Sequence, residues 1–220
     1  MVAFGGLALA GLVLLAYATV WLWHDSAVYR LHGVARNIRF GHSVTSEDLA
    51  QAASDALALD RNGMLRSDDI DDAAQVLFQF SMRKSGSFLK PALLEATEAL
   101  LRRRLALAPA DGNSWLRLAY VHTAHIGLDQ FAHAALRMSF ETTPREISVM
   151  WPSLKFRVDH WNQMTVQEQF ASADLVTGLW HKPPERVALK AYLNKLPPHL
   201  LSSLLSDMID PDARGGVLKG

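Results

Sequence analysis

Residues 109–144 read PADGNSWLRLAYVHTAHIGLDQFAHAALRMSFETTP, and this stretch decides the fold. Trp115, Leu118, Ala119 and His122 recur at three- and four-residue steps, which places them on one stripe of a helix. Ala132, Leu136 and Ser139 form a second stripe. Gly127-Leu128-Asp129 breaks the pattern between them, and Pro144 ends it. Two helices joined by so short a break pack antiparallel. Ala119, Ala132 and Ser139 are small and fall where the two backbones come close. The stretch predicts an α-helical hairpin.

The same periodicity extends outward. Upstream, Thr45-Ser46-Glu47-Asp48 starts a helix as a capping-box variant. Leu49, Ala52, Ala53, Ala56 and Leu57 form its apolar face, and Asp60-Arg61-Asn62-Gly63 ends it. Ser67-Asp68-Asp69 opens another, with Ala73, Ala74, Leu77, Phe78 and Phe80 facing inward. Lys84 to Ser87 reads as a loop. Pro91 suits the first turn of a helix running to Leu107, with Leu93, Leu94, Thr97, Leu100, Leu101 and Leu105 inward. Downstream, Arg145 to Met150 reads as a short helix, restarted at Trp151-Pro152 and running to Trp161. Thr165 and Glu168 make a full capping box for a helix whose apolar side is Phe170, Ala173, Leu175, Val176 and Leu179. Pro183-Pro184 and Pro197-Pro198 each introduce a short helix. No alternating strand-like run occurs, so the expected fold class is all-α.

The N-terminus is different in kind. Phe4 to Trp23 contains no charged residue. About 20 apolar residues at 1.5 Å each reach roughly 30 Å, the hydrocarbon thickness of a bilayer. Tyr17, Trp21 and Trp23 gather where interfacial aromatics belong. A cleaved signal peptide is the rival reading, disfavoured by the missing basic start and the bulky Trp-Leu-Trp end. The expected organisation is a transmembrane anchor (1–24), a juxtamembrane segment (25–44), a helical domain (45–209) and a flexible tail (210–220). Arg30, Arg36 and Arg39 follow the span, and by the positive-inside rule they favour a cytoplasmic C-terminal side.

Composition narrows the function. The chain has 220 residues, with 22 basic and 22 acidic side chains. That balance argues against a nucleic-acid partner. The absence of cysteine removes disulfides, thiol catalysis and thiolate metal sites. No G-x-S-x-G, P-loop or dinucleotide fingerprint is present. The acidic run Asp68, Asp69, Asp71 and Asp72 lacks the ligand spacing and glycine of a calcium loop, and reads as a solvated helix start. His122, His125 and His133 lack the H-E-x-x-H pattern, and His122 reads as a packed side chain. Asp159 and His160 are adjacent on a helix and point apart. Arg102-Arg103-Arg104 reads as a charged helix end. The expectation is no enzyme, no cofactor and no metal.

The 109–144 stretch resembles a tetratricopeptide repeat, which pairs two helices over about 34 residues. Trp115 matches its early aromatic and Leu118-Ala119 its Leu-Gly pair. Ala132, Leu136 and Ser139 match its second-helix residues, and Pro144 its closing proline. His122 replaces the usual Tyr, and one extra residue falls near Gly127. Pro109 would close a preceding, half-preserved repeat. The resemblance implies a short solenoid and a groove lined by the first helix of the hairpin. Carried over by position, Asn113, Leu116, Tyr120 and Thr123 would form that candidate partner groove.

Taken whole, the chain is similar to small membrane-anchored repeat proteins associated with bacterial exopolysaccharide or O-antigen assembly. Arg157, Trp161, Leu179, Trp180 and Pro183 carry that similarity. It implies a non-enzymatic scaffold or adaptor binding protein partners at the cell inner membrane, single-pass, with a periplasmic soluble part. This placement conflicts with the arginine count. The alternative is an accessory or assembly subunit of a larger inner-membrane complex, held through its transmembrane helix.

Overall fold

The computed structural model describes residues 2–83, 90–208 and 210–218, and the side chains of these except 2–10, 90, 211, 212, 217 and 218. Every regular element among them is a helix, as the periodicity requires. The expected loop at Lys84 to Ser87 lies outside the described residues. The chain divides between Leu107 and Ala108 into two compact units. That division falls inside the stretch expected to be one domain (45–209).

The first unit holds α1 (Val2–Arg39), α2 (Ser46–Arg61), α3 (Asp69–Met82) and α4 (Lys90–Leu107). α1 packs on α2 and α3, and α3 packs on α4. The segment expected to be juxtamembrane is mostly the second half of α1. Ala27, Leu31, Val34 and Ala35 repeat at helical spacing and are buried, so this half is part of the core. α2 starts as its sequence signals, with the Thr45 hydroxyl accepting from the Asp48 amide. It ends at Asn62, and Gly63 then turns the chain with φ of 65°. Leu59 is buried where Leu57 was expected.

The acidic start of α3 corrects its reading. Asp69 and Asp72 are buried rather than solvated. His32 of α1 lies between them, with Nε2 3.0 Å from Asp69 and Nδ1 2.5 Å from Asp72. Arg39 reaches Asp72 at 2.5 Å, and Arg30 reaches the buried Asp55 of α2 at 2.8 Å. The arginine triplet is also occupied: Arg102 pairs with Glu98, Arg103 with Asp60 and Arg104 with Asp71.

Among the described residues, no helix is long and apolar enough to cross a membrane. Much of the predicted anchor, residues 1–10, lies where side chains are not described. From Leu12 to Trp23 α1 is strongly apolar. Leu12, Val13, Leu14, Leu15, Tyr17, Val20, Trp21, Leu22 and Trp23 are all exposed.

The second unit is built on the expected hairpin. α5 (Gly112–His125) and α6 (Gln130–Thr142) pack on one another across residues 126–129. Asp111 caps α5 through the Ser114 amide, and Asp129 caps α6 through the amides of Phe131 and Ala132. Ala119, Ala132 and Ser139 are fully buried at the crossing. α7 (Ile147–Asp159) is a single helix containing Pro152, not two pieces, and a short 3-10 turn at Trp161–Gln163 follows it. α8 (Val166–Trp180) packs on α7, and α9 (Pro183–Leu193) and α10 (Pro198–Ser206) pack on α8. The capping box at Thr165 and Glu168 is present in full.

The C-terminal segment is not a loose tail. Pro211–Leu218 forms a last helix, α11, whose Ala213 is buried in the same core as Trp180 and Leu204. A side chain at Gly216 would fall 2.1 Å from the Trp180 ring, so glycine permits the close approach. Deleting residues 209–220 is expected to open Trp180 to water. A red shift of tryptophan emission would report it; an unchanged spectrum would count against docking.

Candidate functional site

The face of α5 expected to line a groove is packed inside the second unit. Asn113, Leu116, Tyr120 and Thr123 follow one another at helical steps, and the structure does bring them onto one side. That side is covered by α7. Asn113 Nδ2 donates to Ser148 Oγ at 3.2 Å. Leu116 is buried in a cluster with Val149 and Phe156. The Tyr120 ring meets Phe156 edge-on at 4.6 Å, and its hydroxyl donates to the Pro152 carbonyl at 2.9 Å. Burial raises the Tyr120 pKa, and the negative charge of Asp159 raises it further. The Thr123 hydroxyl is buried with no hydrogen-bond partner among the described residues. Three of the four candidate groove residues are therefore engaged by the chain's own helix. The break expected at Trp151-Pro152 hid the continuous helix that covers them.

The histidines separate. His122 Nε2 lies 3.1 Å from Asp129, and its ring lies 4.7 Å from Phe131. The Asp129 carboxylate is held below its usual pKa by the Ala132 amide first and the His122 side chain second. His133 turns the other way, to Glu168. His160 stacks on Phe156 at 4.5 Å and donates Nδ1–H to the Phe156 carbonyl, so it makes no dyad with Asp159. Among the described residues, no three His, Cys, Asp or Glu side chains are placed to hold a metal ion.

A polar centre that the groove reading did not include lies between α6, α7 and α8. It grows from the capping box. Glu168 accepts from the Thr165 amide at 2.8 Å and from the Thr165 hydroxyl at 2.9 Å. The same carboxylate accepts from His133 Nδ1, at 2.8 Å to Oε1 and 2.9 Å to Oε2. One residue thus closes a helix start and ties α6 to α8.

Arg157 lies beside it, only 1% exposed. Its Nε donates to Ser153 Oγ at 3.3 Å, and Nη1 donates to the Glu168 backbone carbonyl at 3.1 Å. The Phe140 ring lies 5.9 Å from the guanidinium carbon. Burial pulls the Arg157 pKa down to about 10, and the Glu168 charge opposes this only in part. His133, Arg137, Phe140, Glu141, Arg157, Glu168, Phe170 and Asp174 line a cavity of about 430 Å³. Phe170, expected inward, is half exposed at this cavity. Arg157 was visible in the sequence only as part of a resemblance. Its sign was a cation at a buried helical position, three residues after Leu154.

No protein-family model matches the chain, and neither curated proteins nor solved structures yield a match.

Proposed function

We propose that this chain is a non-enzymatic scaffold held at a cell inner membrane by the first part of α1, with a tetratricopeptide-like hairpin in its second unit. The reading rests on how the surface of α1 changes along its length. Leu12, Val13, Leu14 and Leu15 are consecutive and all exposed. At about 100° per residue they turn through the whole circumference, so this half is apolar on every side. Such a helix needs an apolar surrounding, and lipid supplies one without any further protein. Tyr17, Trp21 and Trp23 then sit at the membrane–water boundary. From Ala27 onward the same helix buries one face only and belongs to a water-facing core.

The hairpin supports the scaffold reading through its small buried seam and its caps. Its partner surface is not the Asn113–Leu116–Tyr120 face, which α7 occupies. Protein partners at the membrane, and a place in envelope polysaccharide assembly, follow from the resemblance carried by Arg157, Trp161, Leu179, Trp180 and Pro183. The first four of these are buried and serve the unit's packing, and Pro183 is exposed.

The test is membrane partition. Leu14→Arg with Leu15→Arg is expected to move the chain from the carbonate-resistant membrane pellet to the supernatant, since each central charge costs roughly 2.5–3.5 kcal/mol of insertion. Retention in the pellet would remove the anchor from the proposal. Exchanging residues 1–22 for an unrelated span separates the alternative: a scaffold keeps its partners, whereas a subunit held through this helix loses its complex. The exchange must stop before Ala27, because the helix beyond is core.

A further inference from the structure

We propose that the cavity between α6, α7 and α8 binds a small organic carboxylate, its anionic group on Arg157 and its apolar body against Phe140 and Phe170. The buried guanidinium carries the argument. Arginine stays charged at any physiological pH, so burial cannot be relieved by losing the proton. A buried cation is normally matched by a carboxylate, and leaving one unmatched is costly. Arg157 has two acceptors, the Ser153 hydroxyl and the Glu168 carbonyl, and both are uncharged. No carboxylate oxygen lies within 4.0 Å of it among the described residues, and Nη2 has no hydrogen-bond partner there. The residue nevertheless lines an accessible cavity.

The other charges around the cavity are accounted for. The Glu168 carboxylate is taken up by His133 and Thr165. Glu141 lies 4.0 Å from Arg137, one helical turn away. Asp174 is exposed. Arg157 is thus the one buried charge of this lining with no oppositely charged group within 4.0 Å. A guanidinium fork matches the planar, two-oxygen geometry of a carboxylate. The three acidic residues of the lining disfavour a more highly charged phosphate. Phe140, Phe170 and Ala171 give the lining an apolar side next to the uncharged polar Thr165 and Gln167, and about 430 Å³ suits a ligand with one ring or a short chain.

The probes are para-fluorinated phenylpropionate and the matching phenethylamine, followed by fluorine NMR. The full chain is held in phosphatidylcholine nanodiscs, with empty nanodiscs subtracted. Saturable broadening of the acid and none of the amine is the expected result. Arg157→Lys keeps the charge but loses the fork, and should weaken acid binding by about tenfold or more. Phe170→Ala lies at the half-exposed wall and spares the core; it should weaken phenylpropionate while leaving the helical spectrum unchanged. Binding of the amine as tight as that of the acid would overturn the proposal, as would acid binding unaffected by Phe170→Ala.

Discussion

Leu31→Ala is expected to destabilise the first unit by about 2–5 kcal/mol, the usual range for emptying a leucine site in a packed core. Leu31 is 0% exposed on the inner stripe of α1. The loss would not stop at the cavity. Arg30 and His32 flank Leu31 and make the contacts to Asp55, Asp69 and Asp72. Asp55 and Asp69 are buried, so loosening α1 strips partners from carboxylates that have no water to replace them. Faster amide exchange in α2 and α3 is the signature to seek. Tyr29 provides the control. It is 83% exposed on the opposite side, and Tyr29→Ala should change stability by no more than roughly 0.5 kcal/mol. Equal effects of the two substitutions would mean that α1 does not dock as described.

The second large effect belongs to Gly112→Val. Gly112 is the first residue of α5, where a longer side chain would ordinarily favour the helix by up to about 1 kcal/mol. Here a Cβ would fall 1.9 Å from Thr143 Oγ1 and 2.9 Å from the Ser139 carbonyl. The threonine can rotate away; the carbonyl is backbone of α6 and cannot. Ser139 Oγ also donates to the Gly112 carbonyl at 2.8 Å, so spreading the hairpin breaks a buried hydrogen bond. Overpacking at such a contact costs about 1–3 kcal/mol for alanine and more for branched valine. Thermal unfolding by circular dichroism measures it. Adding Thr143→Ala should recover part of the Gly112→Ala loss and little of the Gly112→Val loss. A Gly112→Val protein as stable as the parent would refute the close approach.

Both sites show what a sequence discloses and what it conceals. Small residues at Ala119, Ala132 and Ser139 announced a close helix crossing, because their spacing placed them on facing stripes. Gly112 did not announce itself; a glycine beside an N-cap looks like a loop residue until the partner helix is in place. The capping box of Thr165 and Glu168 was legible because both residues lie within one turn. That the Glu168 carboxylate also holds His133 was not, since 35 residues separate them. Asp69 and Asp72 of α3 were read as solvated for the same reason: their partners His32 and Arg39 sit on α1, 33 to 40 residues away. The four residues expected to line a groove do share one side of α5, but the helix that covers this side was hidden by a proline. Pro152 lies in the early part of α7, and the helix continues through it.

The sequence by itself determined the class of structure. Apolar spacing, caps and glycine-proline breaks are local, and they specified helices, their approximate ends and an N-terminal stretch apolar on all sides. Only the tertiary structure decided which charges are buried and which face of the hairpin is covered. It joined the second half of α1 to a core, divided the chain at Leu107, and docked the C-terminal helix against Trp180. It also placed Arg157 at a cavity with no carboxylate in direct contact with it. Those properties depend on residues distant in the chain meeting in space, and a one-dimensional pattern carries the period of an element but not the identity of its neighbour.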